Sequence, residues 1–503
     1  MKLIVAFAAR NEAEKSVAGS QSARRWLCMA LAAPVAAMVI GCGSGTNSSS
    51  TSVSTDPSQL YFSPRMDSGL LTTYAIDHTA NTTCNTSPTL SINCNDGTFV
   101  RSTYSASGAT IQDSGVIPLS PPNGPAFPDG IYGLDTTYIN GGSNGTVTLS
   151  GPVAGSWAVE LPGQAALVEL NVPQEKTNQG GSIIPAANYF TPAVPTESCP
   201  SLATEENFQF VTIPKILASA SSQSITATAW NPKLETAYGT LKISTSGSTV
   251  NFSNVSQFTL AAQGSGVPIV PAAVTATASC SPTYYGQVIS IPGNSTVNSE
   301  GSITPAATIG IGPSGFLVED AGTGNDPATG LPYENILGAG YGAIGLPQPS
   351  SDLTSSLIGA QYQGFVYAPG ASGFSVIGSF GGSSSAQASC ATLLGQLAAA
   401  HFQLSSNSVY GGEFAGNDPS SHASGNCDIA IDLGPQQGGN GLYSQATVYV
   451  GTAFPDNGLG AIYSFPAVAI GGQLQGKNAI FLIGADRAGS PSRSWGIYLL
   501  QLN

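Results

Sequence analysis

Charge is what this 503-residue chain has least of: Asp, Glu, Lys and Arg make up 8% of it, against roughly 25% in average soluble domains. Only 14 residues are Lys or Arg, 28 are Asp or Glu, and the formal charge is −14. The bases are also unevenly spread. No Lys or Arg occurs between Lys242 and Lys477, nearly half of the chain, and that stretch holds eleven acids. Nucleic-acid binding needs cations to replace counterions on phosphates, so this half excludes a nucleic-acid partner. It also excludes a Walker lysine, an arginine finger and a guanidinium clamp for carboxylates. Histidine is scarce: His78, His401 and His422 are the three imidazoles. No HExxH or CxxC occurs, and no glycine-rich loop opens a helix after a strand. What is abundant is small and apolar. Hydrophobic residues reach 41%, enough for a core, with 61 Gly and 34 Pro to break it into short elements.

The chain also lacks an apolar run of the ~20 residues that span a bilayer. Trp26–Ile40 (WLCMALAAPVAAMVI) falls short of that length, contains Pro34 and follows Arg24-Arg25. A basic flank, a short apolar stretch and a small-residue end describe a secretory signal. The run ends in Val39-Ile40-Gly41-Cys42. In these residues the chain resembles bacterial lipoproteins, whose lipobox places an aliphatic residue, a small or aliphatic residue and Gly or Ala before the lipidated Cys. The resemblance is confined to the segment from Arg24 to Gly43 and implies cleavage after Gly41 and diacylglycerol on Cys42. Removing the leader's five bases and two acids leaves nine and 26, a net charge of −17. A body so acidic is repelled by anionic lipid, so a tether suits it. Two or three acyl chains on Cys42 hold firmly where one holds only marginally. Gly43 stands where such lipoproteins carry Asp for inner-membrane retention, which implies an outer-membrane anchor, facing the periplasm or the cell surface. The expected organisation is a signal peptide at 1–41, a flexible small-residue tether at 42–58 (GSGTNSSSTSVSTDPS after Cys42), an N-terminal β region at 59–195 and a C-terminal β region at 196–503.

With Cys28 and Cys42 set aside, six cysteines remain: Cys84, Cys94, Cys199, Cys280, Cys390 and Cys427. An even count in an exported chain points to disulfides. Fifteen pairings are open, and sequence neighbours (84–94, 199–280, 390–427) are favoured. Zinc is disfavoured, because no histidine stands at ligand spacing from a cysteine.

The body reads as mainly β, propeller-like or a tandem β-sandwich array. Tyr238–Val255 alternates apolar and polar residues on either side of Ser246-Gly247, which reads as a hairpin. Trp157–Leu161 and Leu167–Leu170 flank Pro162-Gly163 in the same way, and 315–320, 446–450, 479–483 and 495–502 read as further strands. One short helix is expected near 389–404 (SCATLLGQLAAAHFQL), where Leu393, Leu394 and Leu397 fall at helical spacing. The echoes Phe210–Pro214 with Val288–Pro292, and Gly-Asn-Asp-Pro at 324–327 and 416–419, hint at repeated β units.

No catalytic set stands out. Asp77-His78 and Ser421-His422 are adjacent in sequence, which does not make a triad. No cofactor is expected, calcium excepted. Glu319, Asp320, Asp326 and Glu334 form one acidic group among glycines; Glu413, Asp418, Asp428 and Asp432 form another. Calcium takes six to eight hard oxygens from such loops, though solvated turn carboxylates are the plainer explanation. The aromatics, Tyr284-Tyr285 among them, offer faces for a glycan. The expectation is a lipid-anchored extracytoplasmic binding or scaffold module, with a glycan or envelope-protein partner and no catalysis. The alternative is a tethered carbohydrate-active hydrolase or sugar-binding protein.

Overall fold

The structure, a computed structural model, describes residues 59–65, 70–77, 97–104, 110–117, 131–133, 157–172, 175–176, 183–184, 187–195, 202, 205–213, 237–259, 270–283, 286–291, 307–321, 342–368, 374–414, 427–436, 440–454, 459–486 and 493–502. The mainly β class expected from the sequence is the class observed. The strands fall into three units of eight. The first contains β1 (Gln59–Arg65), β2 (Leu70–Asp77), β3 (Gly97–Tyr104), β4 (Thr110–Ile117), β5 (Ile131–Gly133), β6 (Trp157–Leu161) and β7 (Ala165–Val172). A small pair, β8 (Glu175–Lys176) with β9 (Ile183–Ile184), precedes its last strand, β10 (Ala187–Pro195). Their order is β4-β3-β2-β1-β10-β7-β6-β5.

The second unit runs β11 (Glu206–Ile213), β12 (Ala237–Ser246), β13 (Thr249–Thr259), β14 (Val270–Thr283), β15 (Gly286–Ile291), β16 (Ala307–Ile311), β17 (Leu317–Ala321) and β18 (Gly342–Pro347). The third runs β19 (Gln361–Ala368), β20 (Phe374–Gly381), β21 (Ser408–Glu413), β22 (Ile429–Asp432), β23 (Leu442–Val450), β24 (Tyr463–Leu474), β25 (Lys477–Asp486) and β26 (Arg493–Leu500). In both, each strand pairs antiparallel with its neighbour and the first strand pairs with the last, so the sheet closes into a barrel. The sequence left propeller blades and sandwiches open; the observed form is the closed up-and-down sheet, which leaves no edge to aggregate. The first unit has the same meander and the same first-to-last pairing, Tyr61 opposite Pro195. The expected hairpin at 238–255 is β12–β13, turned at Gly247 with φ 61°, which favours glycine. The C-terminal strand is integrated, as β26 lies between β25 and β19. Closure there is tight: a Cβ on Gly364 would lie 1.9 Å from the Tyr498 carbonyl oxygen.

Both barrels are filled. The strands of the second unit send side chains into one cluster, including Phe208, Phe210, Ile243, Phe252, Ile289 and Ile309. The third barrel is filled by Tyr362, Phe380, Ile431, Phe465, Leu482 and Trp495 among others. A short helix, α1 (Thr354–Gly359), ties into that interior. Thr354 donates to Asp352 through its N–H at 2.8 Å and its hydroxyl at 2.6 Å, and these bonds hold the Asp352 carboxyl below its usual range. From inside the barrel, the Tyr362 hydroxyl donates to Leu357 O at 2.6 Å and Tyr443 reaches Thr354 Oγ1 at 2.7 Å. Burial pushes Tyr443 up to about 12 and Tyr362 higher still.

The opposite, outward faces of the barrel walls are also apolar, and they bury one another. A single cluster joins Phe190 and Leu167 of the first unit, Val211, Ile213 and Leu346 of the second, and Phe365, Phe481 and Tyr498 of the third. Phe190 stacks on Tyr498 with ring centres 4.3 Å apart. Where the first unit meets the second, β1 and β10 meet β16 and β17; where the second meets the third, β11 meets β24 and β25 and β18 meets β24. β26, the last strand of the third unit, meets β6, the sixth of the first. Each of the three units therefore touches the other two.

Candidate functional site

The third barrel carries two further helices on its outer wall. Ser383 opens α2 (Ser384–Ser389) by accepting the Ala386 N–H at 3.3 Å. Cys390 joins it to α3 (Ala391–Ala399), so the helical region starts before the expected residue 389 and stops before 404. The stop is His401, exposed with φ 62°, after which the Phe402 N–H returns to Leu397 O at 2.9 Å. Leu393 and Leu397 bury against Tyr410, Ala430 and Tyr449. A disulfide from Cys390 to Cys427 pins the helix junction to the start of β22, the pairing favoured from the sequence.

Between α2 and this wall lies a half-open cleft of about 370 Å³. Strand alternation presents Gln361 and Gln363 on the outward face of β19, while Tyr362 between them enters the barrel. Ser379 faces them from β20; Ser385 and Ser389 come from α2; Tyr410 and Phe414 supply aromatic surface. The Gln363 amide donates to Ser379 Oγ at 3.4 Å, while its Oε1 is buried without a partner. Among the described residues, no charged side chain lines the cleft.

Two acids stand behind it. Glu413 and Asp428 precede Phe414 and follow Cys427 in the chain, and both are buried. Asp428 is fully buried, and neither of its carboxyl oxygens has a hydrogen-bond partner of good geometry. Burial first, then the charge of Glu413, lifts its pKa to about 8, against some relief from nearby backbone N–H groups. Asp428 is therefore protonated at neutral pH.

The remaining acids singled out in the sequence do other things. Asp432 accepts from the Ser405 N–H at 2.7 Å, the Ser405 hydroxyl at 2.5 Å and the Gly434 N–H at 2.8 Å. It ties down the chain between α3 and β21, and its charge adds to burial in raising the Tyr410 and Tyr449 hydroxyls. Glu319 is buried on β17, and Asp320 follows it on that strand. Asp326, Glu334 and Asp418 lie outside the described residues. Among the described residues, no group of three or more His, Cys, Asp or Glu comes together as a metal cluster. Of the two acidic groups proposed for calcium, the described pair that interacts is Glu413 with Asp428.

Cys280 is also disulfide-bonded, to a partner outside the described residues. Cys42, Cys84, Cys94, Cys199, His78, His422, Tyr284 and Tyr285 all lie outside them, as does the chain's Gly-x-Ser-x-Gly string at 141–145. The cleft was not anticipated from the sequence. Its available signal was Gln361-Tyr362-Gln363, two amides placed on one strand face by alternation.

No protein-family model matches the chain, and no curated protein matches it significantly.

Proposed function

We propose that the protein is a lipid-tethered extracytoplasmic module of the bacterial envelope that binds or scaffolds and does not catalyse. The lipobox-like Val39-Ile40-Gly41-Cys42, followed by a small polar tether, carries this assignment. It is supported by the Cys390–Cys427 disulfide, a bond suited to an oxidising compartment. No helix among the described residues is long and apolar enough to cross a membrane. Attachment through Cys42 is tested by intact-mass analysis of protein taken from its native membrane. The expected N-terminus is Cys42 with added acyl mass, and Cys42→Ala is expected to abolish that mass and release the body. An unmodified sulfur with residues 1–41 still attached would refute the tether.

A tethered carbohydrate-active hydrolase is the second reading, favoured by the Glu413–Asp428 pair. One carboxyl protonated beside another is the division of labour glycosidases use. Full burial of Asp428 argues against it, because a general acid must touch the glycosidic oxygen. Release of reducing ends from neutral glycans, abolished by Asp428→Asn in a folded variant, would establish hydrolysis and displace the binding assignment.

A further inference from the structure

We propose that the cleft between α2 and the outer wall of the third barrel binds an uncharged, hydroxyl-rich ligand of one or two sugar rings. This extends the binding-module reading and rests on it for the ligand's source, a glycan of the envelope.

The cleft's volume of about 370 Å³ lies at the small end of ligand sites. Its described polar groups are two carboxamides, three serine hydroxyls and a tyrosine. Carboxamides and hydroxyls both donate and accept, as sugar hydroxyls do, so either sense of each bond is available. Gln363 is the anchor. One of its two polar atoms meets Ser379, and the other is buried with nothing to bond. That atom is closed to a water-sized group in this pose, so a ligand hydroxyl bonds it once the Gln363 side chain turns toward the cleft. Tyr410 and Phe414 reach the cleft with little of their rings, 6% and 2% exposed, so the apolar contribution is small.

Charge narrows the ligand further. No Lys or Arg lies anywhere from Ile243 to Gly476, a stretch that includes this whole cleft, so an anionic ligand finds no counter-charge. A cation finds no ionised group among the described lining residues. A purely apolar ligand would strand the amides and serines without partners. A neutral polyol is what remains.

The test uses the full-length chain in detergent, acylated or not, so failure here speaks to the cleft and leaves the Cys42 mass to judge the tether. The probes are N-acetylglucosamine, its β-1,4-linked dimer and cellobiose, with glucuronic acid as charged control, read by saturation-transfer NMR and titration calorimetry. Neutral sugars are expected to bind with little change in high salt, and glucuronate at least tenfold more weakly. Gln363→Ala and Ser379→Ala are each expected to weaken binding severalfold with the thermal midpoint retained. Should Gln363→Ala not fold, Ser389→Ala at the exposed rim gives the same readout. Absence of binding by all three neutral sugars overturns the proposal, and so does binding that persists unaltered in the folded variants.

Discussion

Asp428 offers the sharpest physical test of the third barrel. Its carboxyl is held near a pKa of about 8, against an ordinary 3.8, mainly by burial. Below pH 3.8 both folded and unfolded chains carry the proton and the site is neutral to stability. As pH rises, the unfolded chain ionises while the folded one stays protonated. Stability is therefore lost through the window from about 4 to 8, at about 1.4 kcal/mol per pH unit, and the cost reaches about 4 kcal/mol at pH 7. Asp428→Asn keeps the shape and removes the titration. Its amide N–H groups enter the same partner-poor pocket, which offsets roughly 1–2 kcal/mol. The net expectation at pH 7 is a variant more stable by about 2–3 kcal/mol, with the advantage vanishing or reversing near pH 4. Urea unfolding of both proteins at one-unit steps from pH 4 to 8, followed by tryptophan fluorescence, measures it. Parallel stability curves for the two proteins would refute the burial argument, whatever their offset.

Three further outcomes follow from the same packing. Replacing Cys390 and Cys427 together by Ser opens a loop of 37 residues, and the chain-entropy relation gives a loss of roughly 4 kcal/mol; an unchanged thermal midpoint would contradict it. Phe190→Ala empties the junction where the first unit meets Phe365, Tyr367 and Tyr498. The expected cost is about 3–5 kcal/mol, visible as faster proteolysis of the first unit than of the third. Trypsin acting on reduced, unfolded chain should release one fragment from Ile243 to Lys477, since no Lys or Arg intervenes; its absence, with specific cleavage elsewhere, would contradict the sequence.

Local features of the fold were legible because they are encoded locally. Alternation on both sides of Ser246-Gly247 marks β12 and β13, and the leucines of α3 fall at helical spacing. The start of α2 was not legible, because Gly-Gly-Ser-Ser-Ser at 381–385 reads as linker until Ser383 is seen capping Ala386. Barrel closure was not legible either. It pairs Phe365 with Tyr498 across the whole unit, and no local pattern specifies that distance. The strand read at 479–483 lies in β25, where Ala479–Asp486 is buried on both faces. The repeated strings misled in a definite way. Phe210–Pro214 begins in the first strand of the second unit, and Val288–Pro292 in the fifth strand of the same unit, so they are not equivalent. At the site, counting acids found Glu413 and Asp428 but could not separate them from Asp432, whose oxygens are taken by Ser405 and Gly434.

The repeat that does exist is one of contact. β1 and β10 meet β16 and β17, β11 and β18 meet β24, and the third unit touches the first through β26 and β6. The consequence is that Val211, Ile213, Leu346, Phe481 and Ile483, which point away from their own barrel interiors, are still buried. Apolar residues on the outside of a barrel would ordinarily suggest a lipid-facing wall. Here those faces are covered by one another, and the barrel interiors are filled by Trp495, Phe208 and their neighbours. What the third barrel leaves toward solvent is the wall under α2 and α3, where alternation places Gln361 and Gln363. The described lining of the cleft on that wall is uncharged, and the proposed neutral ligand rests on that composition.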